Sequence, residues 1–178
     1  MSLERKNLRI TVVRRKRGNE QLLAFIKEKH AGESGIVYTS SRAKAETICA
    51  FLAAEGINCL CYHAGLSREQ RELSQTRFLH EKDAVIVATI AFGMGIDKAD
   101  VRFVAHTFLP KSIENYVQEI GRAGRDGQKA EAWLCFSGGD AFFQKKRIAE
   151  SDAEDWYKNI SEVKQDVMQG YAESTECR

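Results

Sequence analysis

Proline is almost absent from this sequence: Pro110 is the only one in 178 residues, and no low-complexity linker occurs. A chain so poor in breakers reads as one packed unit with short connections. Long apolar runs are missing too. None approaches the ~20 residues needed to cross a bilayer, and the opening Met-Ser-Leu-Glu-Arg-Lys lacks the apolar stretch of a signal peptide. No Cys-x-x-Cys occurs among the five cysteines, Cys49, Cys59, Cys61, Cys135 and Cys177. Their number is odd and four lie in apolar segments, which predicts buried free thiols in a reducing compartment. There is no Gly-x-x-x-x-Gly-Lys-Ser/Thr, so no P-loop to hold Mg-ATP. There is no His-Glu-x-x-His or Gly-x-Ser-x-Gly, which argues against a zincin and an α/β-hydrolase. The four histidines are scattered; His80 reads as a surface residue and His106 as a satisfied histidine at a strand end.

What is present is an ordinary globular composition, 43% hydrophobic and 29% charged, long enough for one well-buried core plus an appendage. The net charge of +2 proves no nucleic-acid partner. Its distribution is uneven: residues 1–20 are rich in Lys and Arg and residues 150–178 in acids, a pattern read first as two solvated faces.

Short apolar runs alternate with segments of helical period. Strands are predicted at Leu8–Val13, Gly35–Tyr38, Asn58–Tyr62, Ala84–Ala88, Arg102–His106 and Ala130–Phe136. Helices are predicted at Asn19–His30, Arg42–Glu55, Ser67–Leu79, Ser112–Ile120 and Asp140–Glu150. Ala45, Ile48, Cys49 and Leu52 form one face of the second, Gly56 is its C-cap, and Ser67-x-x-Gln70 is a capping box for the third. Ile113, Tyr116, Val117 and Ile120 are placed on one face of the fourth. Trp156, Ile160, Val163 and Val167 mark a separate amphipathic helix. The fold class is therefore α/β, an open, mainly parallel sheet with helices on both faces, at residues 5–150, with a helical extension at 151–178.

In such sheets ligands bind beyond the carboxyl ends of the strands. Three predicted strands run there into similar chemistry: Thr39-Ser40-Ser41-Arg42, His63-Ala64-Gly65 and Thr89. Hydroxyls, a glycine and helix N–H groups suit phosphate, and three neighbouring sites suit one extended backbone. Any one of them alone is better explained by helix capping and turn formation; it is the repetition on three strands that favours binding. A fourth element, Phe92-Gly93-Met94-Gly95-Ile96-Asp97-Lys98, allows close backbone approach at its glycines and offers Asp97 to a ribose hydroxyl. The fifth is Gln118-Glu119-Ile120-Gly121-Arg122-Ala123-Gly124-Arg125-Asp126-Gly127. Guanidinium groups in such a setting stabilise charge on a transferring phosphoryl group. A basic residue complementing a helix end explains one arginine, but not Gly-Arg-x-Gly-Arg, whose three glycines in seven residues indicate a crowded backbone.

Together these segments resemble the motifs of a helicase lobe. Residues 35–46, Gly-Ile-Val-Tyr-Thr-Ser-Ser-Arg-Ala-Lys-Ala-Glu, resemble motif IV. Tyr-His-Ala-Gly-Leu at 62–66 resembles the turn that follows it, residues 87–98 motif V, and residues 118–127 motif VI. Order and spacing match over roughly residues 5–178. Ala-Phe-Gly-Met-Gly-Ile-Asp-Lys is similar to the RecQ family, whereas DEAD-box RNA helicases usually carry Ala-Arg-Gly at the glycine turn and His where Gln118 stands.

The resemblance implies a RecA-like second lobe of an ATP-dependent DNA helicase with 3′-to-5′ unwinding. It implies ATP and Mg2+ as cofactors of the full-length enzyme and the first RecA-like lobe as partner. The substrate would be single-stranded and duplex DNA in repair or recombination, in the bacterial cytoplasm or the eukaryotic nucleus. By the same resemblance Arg125 is the first choice for an arginine finger, with Arg122 beside it. Gly95, Asp97 and Gln118 would serve the nucleotide; Ser40, Arg42, His63, Gly65 and Thr89 would lie along the DNA. Cys177 resembles the first ligand of the zinc subdomain of these enzymes, so zinc is expected only with the full-length protein. Two other readings stay open: a non-enzymatic nucleic-acid-binding lobe, which has no need of the arginine pair, and a DEAD-box-like RNA-remodelling lobe.

Overall fold

The computed structural model describes residues 5–89 and 97–174. Six strands, β1 (Leu8–Arg14), β2 (Gly35–Tyr38), β3 (Cys59–Tyr62), β4 (Val85–Ala88), β5 (Phe103–His106) and β6 (Ala130–Phe136), form one sheet in the order β1-β6-β5-β2-β4-β3. Every pairing is parallel. All four strands β2, β4, β5 and β6 are buried along their whole length. That is why they read as continuous apolar runs rather than alternating ones: both faces of the sheet are covered.

One face carries α1 (Gly18–Lys29) and α2 (Arg42–Ala54). Leu22, Phe25 and Ile26 of α1 and Ala45, Ile48, Cys49 and Leu52 of α2 pack there on Val37, Val85, Val87, Phe103 and Trp133. Phe25 stacks on Trp133 at 5.2 Å and meets Phe103 edge-on at 5.5 Å. The Phe103 ring lies where a β-carbon on Gly35 would stand, 2.1 Å away, so only glycine fits at the start of β2.

The opposite face carries α3 (Arg68–His80), α4 (Ile113–Ile120) and α6 (Asp155–Glu173), with α5 (Gly138–Ala149) contributing Ala141. Phe78, Tyr116, Ile120, Met168 and Ala172 close over Ile36, Tyr38, Ile86, Val104 and Leu134. The predicted capping box at Ser67 and Gln70 opens α3.

Two helical faces differ from the sequence reading. In α6 the stripe Trp156, Ile160, Val163 and Val167 points to solvent, each side chain at least 48% exposed, while Gln165, Met168 and Ala172 are buried. The apolar period was real, but the small and flexible side chains on the next face let α6 approach α4 and α5 closely. In α4, Val117 is 42% exposed and Glu119 takes its place in the interior, for a reason that lies in the site. Cys49 and Cys135 are buried free thiols as expected; Cys59 and Cys61 are only half-buried.

Candidate nucleic-acid and nucleotide-facing sites

Parallel register places Thr39, His63, Thr89 and Thr107 at one edge, just past the ends of β2, β3, β4 and β5. Backbone bonds continue the sheet there: Thr39 N–H donates to Ala88 C=O at 2.9 Å and Thr89 N–H to Tyr62 C=O at 3.3 Å. Ser41 is the N-cap of α2, its hydroxyl accepting from Lys44 N–H at 3.3 Å, so this residue has the capping role. Ser40, half-buried, is turned instead into a cavity of about 180 Å³ that it shares with Thr39, Thr89, Phe108, Lys111 and Arg147. Two of the three predicted strand ends therefore converge on one space. Arg42 is exposed, and its Cδ stands 3.2 Å from where a β-carbon on Gly65 would lie, so these two residues meet. His63 is 2% exposed with both ring nitrogens engaged: Nε2 with Glu46 at 3.0 Å, Nδ1 accepting from Gly65 N–H at 3.2 Å. It fastens the Gly65 turn to α2.

Lys111, Gln144 and Arg147 are members of this edge that sequence reasoning missed. Lys111 follows Pro110 beyond β5, and Gln144 and Arg147 come from α5, whose helical period carried no hint of the groove. The Gln144 amide donates to Leu109 C=O at 3.2 Å. An acid beside the groove, Asp140, is neutralised by Arg15 in a half-buried ion pair and accepts from Ser137 N–H at 2.9 Å. The groove thus presents net positive charge.

The glycine-arginine segment lies elsewhere. Its backbone is bound to residues that precede strands: Gly124 N–H donates to Val101 C=O at 2.8 Å and Asp126 N–H to Ala99 C=O at 3.3 Å. Arg102 grips the Asp126 carboxylate with one guanidinium nitrogen at 2.7 and 2.6 Å. This turn therefore sits at the amino ends of β5 and β6, not at the carboxyl edge where the sequence reading grouped it. The basic N-terminal run has a structural task here. Arg5 donates to Gly121 C=O at 3.0 Å and Gly124 C=O at 2.6 Å, and Asn7 to Gly124 C=O at 2.9 Å and Gln128 C=O at 2.8 Å. Carbonyls freed as α4 ends are satisfied by these side chains. Crowding is tightest at Gly124, where φ is +59° and a β-carbon would lie 2.7–2.9 Å from Asn7, Gln128 and Ala130. Gly127 also has positive φ, but open space around it.

The two arginines are held differently. Arg122 is half-buried, and its guanidinium lies against the Tyr38 hydroxyl; burial nevertheless pushes the Tyr38 phenol up to about 12. Arg125 is exposed and pairs with Asp97 at 2.8 Å. Glu119 is buried because its carboxylate meets His106 Nε2 at 2.6 Å, with His106 stacked on Tyr38 and edge-on to Tyr116, both ring centroids at 5.2 Å. The expected satisfied histidine is thus half satisfied, for among the described residues no partner reaches its Nδ1. Gln118 is exposed on α4. Gly95 and Cys177, singled out by the sequence, lie outside the described residues. Among the described residues no group of His, Cys, Asp and Glu could hold a metal ion, and no helix is long and apolar enough to cross a membrane.

The helicase conserved C-terminal domain matches residues 17–127. The chain belongs to that family. Among similar proteins, the ATP-dependent DNA helicase RecQ of Pasteurella multocida is 44% identical over 99% of this helicase lobe. RecQ of Haemophilus influenzae is 43% identical over 99%, and the RecQ-like DNA helicase BLM of Xenopus laevis 46% over 77%. The lobe spans 28% of the length of both bacterial relatives and 10% of the third. The E. coli DEAD-box protein SrmB has a similar structure, with a TM-score of 0.63 at 25% identity, covering 82% of this chain and 85% of that one. The S. cerevisiae protein dbp5 shares the fold at a TM-score of 0.66 and 19% identity, over 92% of this chain and 46% of that one. The RecA-like α/β fold and the RecQ kinship read from the motifs hold.

Proposed function

We propose that this lobe is the second motor lobe of a 3′-to-5′ DNA helicase. Arg125 is its arginine finger toward ATP held by a P-loop lobe, and the carboxyl edge is part of its single-strand track. The observation that carries the reading is the contrast between the two arginines. Arg122 is anchored against Tyr38, whereas Arg125 stands on a turn clamped by Arg5, Asn7 and Arg102 and pairs with an exposed carboxylate. A rigid base and a releasable guanidinium are what transition-state charge stabilisation requires. Asp97, once Arg125 turns away, is free to accept from a ribose hydroxyl, and Gln118 faces out to couple to the partner lobe. Magnesium and the P-loop lysine belong to that partner. Ser40, Thr89, Arg42 and Gly65 serve the DNA backbone, which carries no sequence information, and His63 holds the Gly65 turn in place. Residues 5–150 form the lobe proper, and 151–178 lead toward the zinc subdomain that Cys177 would begin.

Steady-state hydrolysis with and without single-stranded DNA tests this. The 178-residue chain alone is expected to hydrolyse no ATP. The longer protein that joins it to a P-loop lobe is expected to hydrolyse ATP when DNA is added and to unwind a duplex with a 3′ overhang but not a 5′ one. Hydrolysis by the isolated chain, purified free of contaminating ATPases, would overturn the reading.

A further inference from the structure

The thiols of Cys49, Cys59 and Cys61 meet between α2 and β3. Cys49 lies on the buried face of α2. Cys59 and Cys61, alternate residues of β3, turn to the same side of the sheet and pack against the cluster that holds Cys49. Cys49 interacts with both of them, and the two contacts act on it in opposite directions: Cys59 holds its proton in place, and Cys61 favours its loss. Cys49 therefore donates to the Cys59 sulfur and accepts from the Cys61 thiol, a relay that ends on Cys59. Three sulfurs together would suit a soft metal ion, but among the described residues no group of His, Cys, Asp and Glu could hold one. What the arrangement suits is chemistry between two sulfurs.

β3 is an edge strand of the sheet and Cys59 is half-buried, so this pair is open to a small oxidant in a way that Cys135, inside β6, is not. We propose that Cys49 and Cys59 form a reversible disulfide on exposure to a hydroperoxide, latching α2 to the edge strand. The Cys59 sulfur attacks the peroxide, the O–O bond breaks, and Cys59 becomes a sulfenic acid as its proton leaves with the departing oxygen as water or an alcohol. The Cys49 sulfur then displaces hydroxide from the Cys59 sulfur. The Cys49 proton, already directed at Cys59, goes to that hydroxide and leaves as water. Both sulfurs are oxidised, the peroxide is reduced, and a dithiol reverses the bond. The latch joins two elements that share a second tie: Glu46 of α2 holds His63 at 3.0 Å, and β3 runs directly into His63. It closes a loop of about ten residues and so restricts the unfolded chain.

Peptide mapping tests this on the native chain. All three sulfurs fall in one tryptic peptide, residues 45–68, which Glu55 divides between Cys49 and Cys59. The 178-residue chain is treated with hydrogen peroxide, alkylated in denaturant, and cut first with trypsin and then after Glu55. The two halves are expected to stay joined until dithiothreitol is added. A further cut after Leu60 is expected to leave Cys59, and not Cys61, in the bond. The oxidised chain should melt several degrees above the reduced one, and the reductant should abolish that gain. Cys59→Ser is expected to lose both the linkage and the gain in Tm, and Cys61→Ser to keep both; the cut after Leu60 places the bond in the native chain if a variant fails to fold. Halves that separate without reductant, a bond to Cys61, or a Tm that does not rise on oxidation would each overturn the inference.

Discussion

The guanidinium of Arg125 and the carboxylate of Asp97 are paired at 2.8 Å, and both residues are exposed. An exposed pair contributes little net free energy, so it holds Arg125 without locking it. Each partner was expected to serve a nucleotide, and here each occupies the other. In the full-length enzyme, Arg125→Ala is expected to lower DNA-stimulated kcat roughly 10³-fold, with ATP affinity nearly unchanged because a finger acts on transition-state charge. Lysine at 125 should not rescue, lacking the planar fork. Steady-state ATPase alongside nucleotide titration checks this, and near-normal turnover in Arg125→Ala would remove it from the mechanism.

Gly124 and Gly127 are both at positive φ, and only one is crowded. Gly127→Ala should cost only the left-handed backbone penalty, about 1–2 kcal/mol. Gly124→Ala adds overpacking against Asn7, Gln128 and Ala130, for a total of about 2–5 kcal/mol. Urea unfolding midpoints give the comparison; equal losses at the two sites would show that the turn relaxes around a β-carbon.

Much of this architecture was legible because strands buried on both faces leave unbroken apolar runs. Gly35–Tyr38 and Ala130–Phe136 were read to the residue. The four residues Ala45, Ile48, Cys49 and Leu52 were read as a face and are the buried face of α2. What was not legible depends on partners distant in sequence. Glu119 reads as a polar helix position until His106 is brought to it. Arg5 and Asn7 read as a solvated basic start until the carbonyls of Gly121 and Gly124 arrive beside them. In α6 the period was visible but not which face would find a neighbour. Strand order was also hidden, and with it the separation of the glycine-arginine turn from the carboxyl edge.

Glu131 offers a pH dependence. Burial raises its carboxyl, but Thr11 at 2.6 Å and Lys29 at 3.3 Å, with His30 nearby, outweigh it, and the net shift is downward. A folded-state value below the unfolded one gives stability that is present above the ordinary carboxylate range and lost as pH falls through the folded value. Acid unfolding followed by circular dichroism should therefore begin below about pH 4.3, and Glu131→Gln should flatten that limb. An unchanged acid limb in Glu131→Gln would assign the sensitivity to other carboxylates.

The thiols should be slow. A hydrogen bond with Cys59, together with burial, pushes Cys49 up to about 12; its bond with Cys49 and burial raise Cys61; and burial takes Cys135 to about 11. Only the thiolate attacks, so at pH 7 these three should react with iodoacetamide far more slowly in the native chain than in denaturant. Peptide mapping of the labelled sites measures it. Rapid native labelling of Cys49 or Cys135 would mean that α1, α2 and the sheet open readily.

Tyr38 meets the Arg122 guanidinium and Glu119 holds His106, the ring stacked on Tyr38, so removing each tests a different link. Tyr38 ends β2, one residue before Thr39, and its hydroxyl lies against the Arg122 guanidinium. Tyr38→Phe deletes that hydroxyl and keeps the ring stacked on His106. Hydrogen bonds to charged groups are worth about 1.5–3 kcal/mol, so Arg122 should lose definition while the core stays filled. The expected result is a several-fold fall in kcat with a small change in Tm. Glu119→Ala is a harsher change. It leaves His106 buried with neither ring nitrogen paired, and an unpaired buried polar group costs about 1–3 kcal/mol, so Tm should fall clearly along with kcat. Glu119→Gln keeps an oxygen and a donor against the imidazole and should recover most of the stability. If Arg122 is only a structural residue, all three variants will change kcat in proportion to Tm. If it acts on the nucleotide, Tyr38→Phe will break that proportion, losing turnover while keeping the fold. Thermal melts and ATPase rates on the same preparations of the full-length enzyme separate the two, and a Tyr38→Phe enzyme with native kcat would show that the hydroxyl does not set the position of Arg122.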